Sequence, residues 1–105
     1  MSESSSSSWW VYLILTESEL IYTGIAKDTE RRFQEHLATY EGRGTKGAKF
    51  FRGHKPLNII YQEAAQNRSE ATRRELMIKK LPRDKKWALA NMAEPDSTDV
   101  ITKAQ

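Results

Sequence analysis
The sequence predicts an α+β fold, a small three-stranded, mainly antiparallel sheet flanked by helices, and three observations carry that prediction. Apolar and β-branched runs with strand periodicity fall at residues 11–16, 20–25 and 57–63. Residues 29–40, 68–80 and 83–92 carry caps or apolar side chains at helical spacing. The resulting order is strand, strand, helix, loop, strand, helix, helix, a sheet with helices packed against it.

Each element has its own justification. Val11, Leu13 and Leu15 alternate with Tyr12, Ile14 and Thr16, and Glu17, Ser18 and Glu19 read as a hairpin turn into the second strand, 20–25. Asp28 is a good N-cap, and Phe33, Leu37 and Tyr40 recur at helical spacing behind it. Pro56 opens the third strand, with Leu57, Ile59 and Tyr61 assigned to one face. Asn67 and Glu70 resemble a capping box, and they start the helix over 68–80. Pro82 separates it from a third helix over 83–92 that turns Trp87, Leu89 and Ala90 toward the core.

Composition narrows the class. With 105 residues the chain is expected to form one domain over residues 9–93, between a serine-rich disordered leader at 1–8 and a polar disordered tail at 94–105. The absence of cysteine excludes disulfides, zinc ribbons and thiol chemistry and fits a reducing cytoplasm. No apolar run approaches a membrane span. The net charge of +3 is mild, but its distribution is uneven. Residues 43–55 hold Arg43, Lys46, Lys49, Arg52 and Lys55 without an acidic residue, and four of the five glycines fall in or beside that segment.

The most informative residues lie ahead of it. Tyr12 and Tyr22 fall on adjacent predicted strands, and Gly24 comes two residues after the second. Arg32 and His36, four residues apart, stack on one helix face roughly 6 Å apart along the axis. Two strand tyrosines facing an arginine and a histidine form a set suited to handling phosphate.

On these residues the chain resembles the GIY-YIG nuclease superfamily, and most closely its small stand-alone bacterial members. The likeness spans residues 10 to about 90. Tyr12 and Tyr22 match the two motif tyrosines, Arg32 and His36 the arginine and histidine of the first helix, and Glu75 the metal-binding glutamate. Residues 44–52 look like the basic loop of the stand-alone members. Trp10 and Val11 replace the glycine and isoleucine of the first motif, and Thr23 the isoleucine of the second. These are backbone and packing positions. Asn91 is the candidate for a further asparagine that many members carry near the domain end.

The resemblance implies a metal-dependent endonuclease, structure-selective and of low sequence specificity, with DNA ahead of RNA as substrate. Glu75 lies at the edge of an apolar stripe, where a divalent ion, Mg²⁺ or Mn²⁺, would relieve an unpaired carboxylate. Arg32 offers planar donors that match phosphate oxygens and stays charged. Tyr12 is the expected proton acceptor and Tyr22 the orienting group; a free phenol has a pKa of about 10, so the base role requires positive charge nearby. His36 would donate to phosphate or share the proton. Arg43, Lys46, Lys49, Arg52, Lys55 and Arg74 are the expected nucleic-acid contacts.

Each residue also has a plainer reading. Glu75 could pair with Lys79, the tyrosines could be packing residues, and the loop could be solvated and flexible. A non-catalytic nucleic-acid-binding module and an adaptor using Trp9 and Trp10 are the alternatives at the level of function. Plain binding does not require this particular set of side chains.

Overall fold
The computed structural model describes residues 9–92, so the expected leader and tail lie outside the described residues. Strand β1 (Trp9–Thr16) is central, pairing antiparallel with β2 (Ile21–Ala26) on one side and β3 (Pro56–Ala65) on the other. The sheet is therefore three-stranded and antiparallel, with helices α1 (Thr29–Tyr40), α2 (Arg68–Lys79) and α3 (Arg83–Met92) against it.

Both faces of β1 are covered. Val11 and Leu13 pack with Ala71 and Ile78 of α2 and with Trp87 and Leu89 of α3, while Tyr12 and Ile14 pack with Phe51 and with Phe33 of α1. Burial of a side chain such as Leu13 stabilises the fold by about 1.5–3 kcal/mol. The expected caps form: Asp28 accepts from the Arg31 amide at 3.0 Å and Asn67 from the Glu70 amide at 2.8 Å. Glu70 reaches back to the Gln66 amide, one residue before the cap.

The structure corrects several local expectations. Leu20 is exposed in the turn, where Thr16 Oγ1 both donates to its carbonyl and accepts from its amide. In β3 the register against β1 slips between Tyr61 and Ile59, so Leu57, Ile59 and Tyr61 do not share one face. Ile59 packs in the Tyr12 cluster and Tyr61 in the Leu13 cluster, because the extra residue of a bulge shifts the remainder of the strand to the other side of the sheet. On α1 the buried residues are His36 and Thr39, whereas Tyr40 of the expected apolar stripe is exposed. Finally, residues 49–52, expected as loop, form a short 3₁₀ helix, and Phe51 is fully buried, so of the two roles open to Phe50 and Phe51, anchor or stacking face, Phe51 takes the anchor.

Candidate active site
Tyr12 faces Gly24 across the β1–β2 ladder, and Tyr22 faces Ile14 two positions along. The two phenols therefore project from the same side of the sheet, with ring centroids 6.3 Å apart. Gly24 is required by that arrangement: a Cβ there would lie 2.6 Å from Tyr12 Oη and 2.9 Å from Tyr22 Cε2, closer than atoms pack.

Helix α1 brings Arg32, His36 and Thr39 to this face, spaced as one helical stripe. His36 is wholly buried, and both ring nitrogens are engaged. Its Nδ1 accepts from the Ala48 amide at 3.2 Å, so the neutral ring carries its proton on Nε2 and donates it to Tyr12 Oη at 2.9 Å. Burial, helped by the nearby Arg32 charge, lowers the His36 pKa to about 4, so the ring is neutral near pH 7. Burial also raises the pKa of both tyrosines, and Arg32 opposes that rise. Tyr12 is thus a neutral phenol whose oxygen already receives one hydrogen bond. The Tyr22 hydroxyl has no hydrogen-bond partner among the described residues.

The Arg32 guanidinium is about one-third exposed, and its Nη1 donates to Glu35 Oε1 at 2.7 Å and to the Lys46 carbonyl at 2.8 Å. Arg31, whose side chain is mostly exposed, pairs with the other oxygen of the same carboxylate, Glu35 Oε2, at 3.5 Å. Beyond α1, Phe50 stacks on Tyr22 with centroids 5.4 Å apart, and Phe51 lies 4.2 Å from the His36 ring. Lys46, Lys49 and Arg52 are exposed and form no ion pair among the described residues. Arg43 pairs with Glu41, and Lys55 is half-buried.

Glu75 on α2 has a largely buried side chain, paired with Lys79 at 3.4 Å. Its charge reaches both tyrosines, adding to the rise that burial imposes on them. Among the described residues no three His, Asp or Glu side chains gather into a metal-binding group. A lone carboxylate beside phenol oxygens nevertheless fits Mg²⁺, which commonly takes one or two carboxylates and keeps several waters.

A family model described as the GIY-YIG catalytic domain matches residues 8–88. The chain belongs to the GIY-YIG family. It is 40% identical over 85 residues to a UPF0213 protein of Cupriavidus necator, covering 81% of this chain and 86% of that one. A UPF0213 protein of Desulfotalea psychrophila is 34% identical over 92 residues, covering 88% and 79%. The solution structure of a UPF0213 protein from Bacillus halodurans has 31% identity and a TM-score of 0.49, over 90% of this chain and 98% of that one.

Within this GIY-YIG domain the departures from the motif name are positions of the sheet. Val11 and Thr23 lie on the face opposite the tyrosines, where Thr23 Oγ1 is buried without a hydrogen-bond partner among the described residues. Two expected site residues stand elsewhere. Arg74 is bidentate to Glu63, at 2.6 and 2.9 Å, and Tyr61 donates to the same carboxylate, so the charge of Arg74 is neutralised within the molecule. Asn91 is exposed at the end of α3, which packs against β3, the sheet edge away from Tyr22. The residues that sequence reasoning passed over are Thr39, which accepts from the Gly47 amide at 2.9 Å, and Ala48. Thr39 was accessible from its spacing to Arg32 and His36; the Ala48 contact is made by a backbone amide, which leaves no mark on residue type.

Proposed function
We propose that this GIY-YIG protein is a divalent-cation-dependent endonuclease that hydrolyses phosphodiester bonds, cutting structured DNA with little sequence specificity. The observation that carries the reading is the convergence of Tyr12, Tyr22 and Arg32 on one face, with the buried His36 donating to Tyr12.

In this reading the partly exposed Arg32 binds non-bridging phosphate oxygens and stabilises the charge that develops on them. Glu35 and the Lys46 carbonyl hold it in place beforehand. Tyr12 Oη, with His36 filling one of its acceptor positions, turns its own O–H toward the substrate side, releases that proton to solvent under the positive charge of Arg32 and a bound cation, and as the phenolate accepts the proton of the attacking water. Tyr22, whose hydroxyl has no partner among the described residues, orients water or phosphate. His36 is buried and doubly engaged, so it positions Tyr12 instead of touching phosphate. Glu75 would hold Mg²⁺ or Mn²⁺, which would supply the positive charge that a buried phenol needs in order to act as a base.

Lys46, Lys49 and Arg52 address backbone phosphates, contacts that position nucleic acid but carry no base information. Among the described residues no helix is long and apolar enough to cross a membrane, and a cysteine-free chain suits a reducing cytoplasm. The test is a panel of flaps, forks, single strands and duplexes, in DNA and RNA, incubated with Mg²⁺, Mn²⁺ or EDTA. Cleavage of branched DNA with metal and none in EDTA is expected. Full activity in EDTA overturns the metal requirement, and binding without cleavage on every substrate overturns the enzyme.

A further inference from the structure
Three consecutive residues of the basic loop meet the reactive stripe of α1 through their backbone. The Lys46 carbonyl accepts from Arg32, the Gly47 amide donates to Thr39 Oγ1, and the Ala48 amide donates to His36 Nδ1. The approach is open to glycine alone. A Cβ at Gly47 would lie 2.5 Å from Thr39 Oγ1, 2.7 Å from the Glu35 carbonyl and 2.8 Å from His36 Cα. Phe51, buried three residues beyond Ala48, fixes the far end of the segment.

A neutral imidazole has two tautomers, and the hydrogen bond made by one nitrogen selects which is present. With Ala48 donating to Nδ1, Nε2–H points at Tyr12 Oη. In the other tautomer Nε2 would be a bare acceptor, and the Tyr12 O–H would turn inward to meet it, away from substrate. We propose that Thr39 and Gly47 are positioning residues that dock the basic loop so that the Ala48 amide locks His36 in the tautomer that donates to Tyr12. The groups facing the ring fit this assignment: Tyr12 and Tyr22 from the sheet, Arg32 and Glu35 from α1, and Phe51 from the loop. Lys46 and Lys49, two of the cations that contact phosphate, then lie within two residues of the amide that sets the tautomer.

The turnover arm of the test rests on the nuclease reading, while the spectroscopic arm does not. In ¹⁵N-labelled wild-type protein, His36 Nδ1 should show the shift of an unprotonated ring nitrogen and a scalar coupling to the Ala48 amide. Thr39→Val should produce mixed tautomers and lower single-turnover cleavage at saturating substrate by roughly tenfold to a hundredfold. The dissociation constant should stay within a few-fold, and Thr39→Ser should restore both readouts. A wild-type ring protonated on Nδ1, or without the Ala48 coupling, overturns the proposal even if Thr39→Val fails to fold. So does a folded Thr39→Val that keeps the single Nε2–H tautomer, whether its rate is unchanged or only its affinity falls. If wild type cleaves nothing, the nuclease reading fails and the imidazole spectra alone decide the latch.

Discussion
The two faces of β1 are equally closed to water but are held by different chemistry. Toward α2 and α3, Val11 and Leu13 meet aliphatic side chains and the partly buried ring of Trp87, a non-directional packing of apolar groups. Toward α1, Tyr12 is just as buried, but its neighbours include His36, and its position is fixed by a hydrogen bond and by the closeness of Gly24. The first face tolerates adjustment as long as volume is kept. The second depends on donor and acceptor direction, and a single misplaced proton changes what Tyr12 can do. Burial alone therefore does not distinguish core from site; the means by which a buried group is satisfied does.

The two half-buried carboxylates repeat the contrast. Glu63 is saturated by a bidentate arginine and a tyrosine, and the Arg74 hydrogen bond holds its carboxyl below the usual carboxylate range. Glu75 has one lysine at 3.4 Å. The largest effect should fall on this pair. Glu75→Ala should abolish metal-dependent cleavage while near-UV circular dichroism and the unfolding midpoint stay close to wild type; Glu63→Ala should lower stability and leave cleavage measurable. Equal cleavage by wild type and Glu75→Ala would remove the distinction.

A second comparison sets the faces of β1 against each other directly. Leu13→Ala should cost about 2–5 kcal/mol in denaturant unfolding, since the residue is fully buried among apolar neighbours. Tyr12→Phe should cost about 1–3 kcal/mol, because His36 Nε2–H loses its buried acceptor. It should also slow single-turnover cleavage by roughly 10²-fold, whereas Leu13→Ala at a temperature where it is folded should cleave at nearly the wild-type rate. Should Tyr12→Phe cleave normally, the phenol is a packing residue after all.

The cations divide in the same manner. Arg32 is braced by Glu35 and by a backbone carbonyl, whereas Lys46 and Lys49 extend into solvent. Arg32→Ala should lower turnover by roughly 10²- to 10³-fold with a smaller change in affinity. Changing both lysines to alanine should instead weaken binding and reduce the salt slope by up to about 2 units. A purely affinity-based defect in Arg32→Ala would place it with the lysines.

What the sequence disclosed divides along these lines. Period-two and period-3.6 patterns located the three strands and the three α-helices, though not the 3₁₀ turn at 49–52, and the spacing from Tyr12 to Tyr22 and from Arg32 to His36 was enough to gather four side chains on one face. The bulge in β3 was hidden, because Leu57, Ile59 and Tyr61 look regular until pairing with β1 inserts an extra residue. The engagement of Arg74 was hidden too, since its partner is eleven residues earlier, on a strand. Hydropathy also misread α1: its apolar stripe suggested Tyr40 as a buried residue, but the helix buries His36 and Thr39, whose polar atoms are satisfied by the tyrosine and the loop amides.

The last prediction tests the buried histidine itself. An imidazole ordinarily titrates at about 6.5, and in this fold burial first, and Arg32 second, bring His36 down to about 4. Between those values the unfolded chain binds a proton that the folded protein refuses, so protonation favours unfolding. The contribution of His36 is therefore complete above pH 6.5 and is lost progressively as the pH falls toward 4, by roughly 3 kcal/mol in all. Glu35 and Glu63, whose carboxyls are also lowered, add acid sensitivity of the same sign, so the measurement must isolate the ring. His36→Gln removes the titrating group, and its unfolding free energy should fall less steeply than that of wild type across this window. Direct NMR titration should place the His36 midpoint far below the ordinary imidazole value. A midpoint near that ordinary value would mean that the ring meets water, and the tyrosine face would then lose the buried donor that distinguishes it from the aliphatic one.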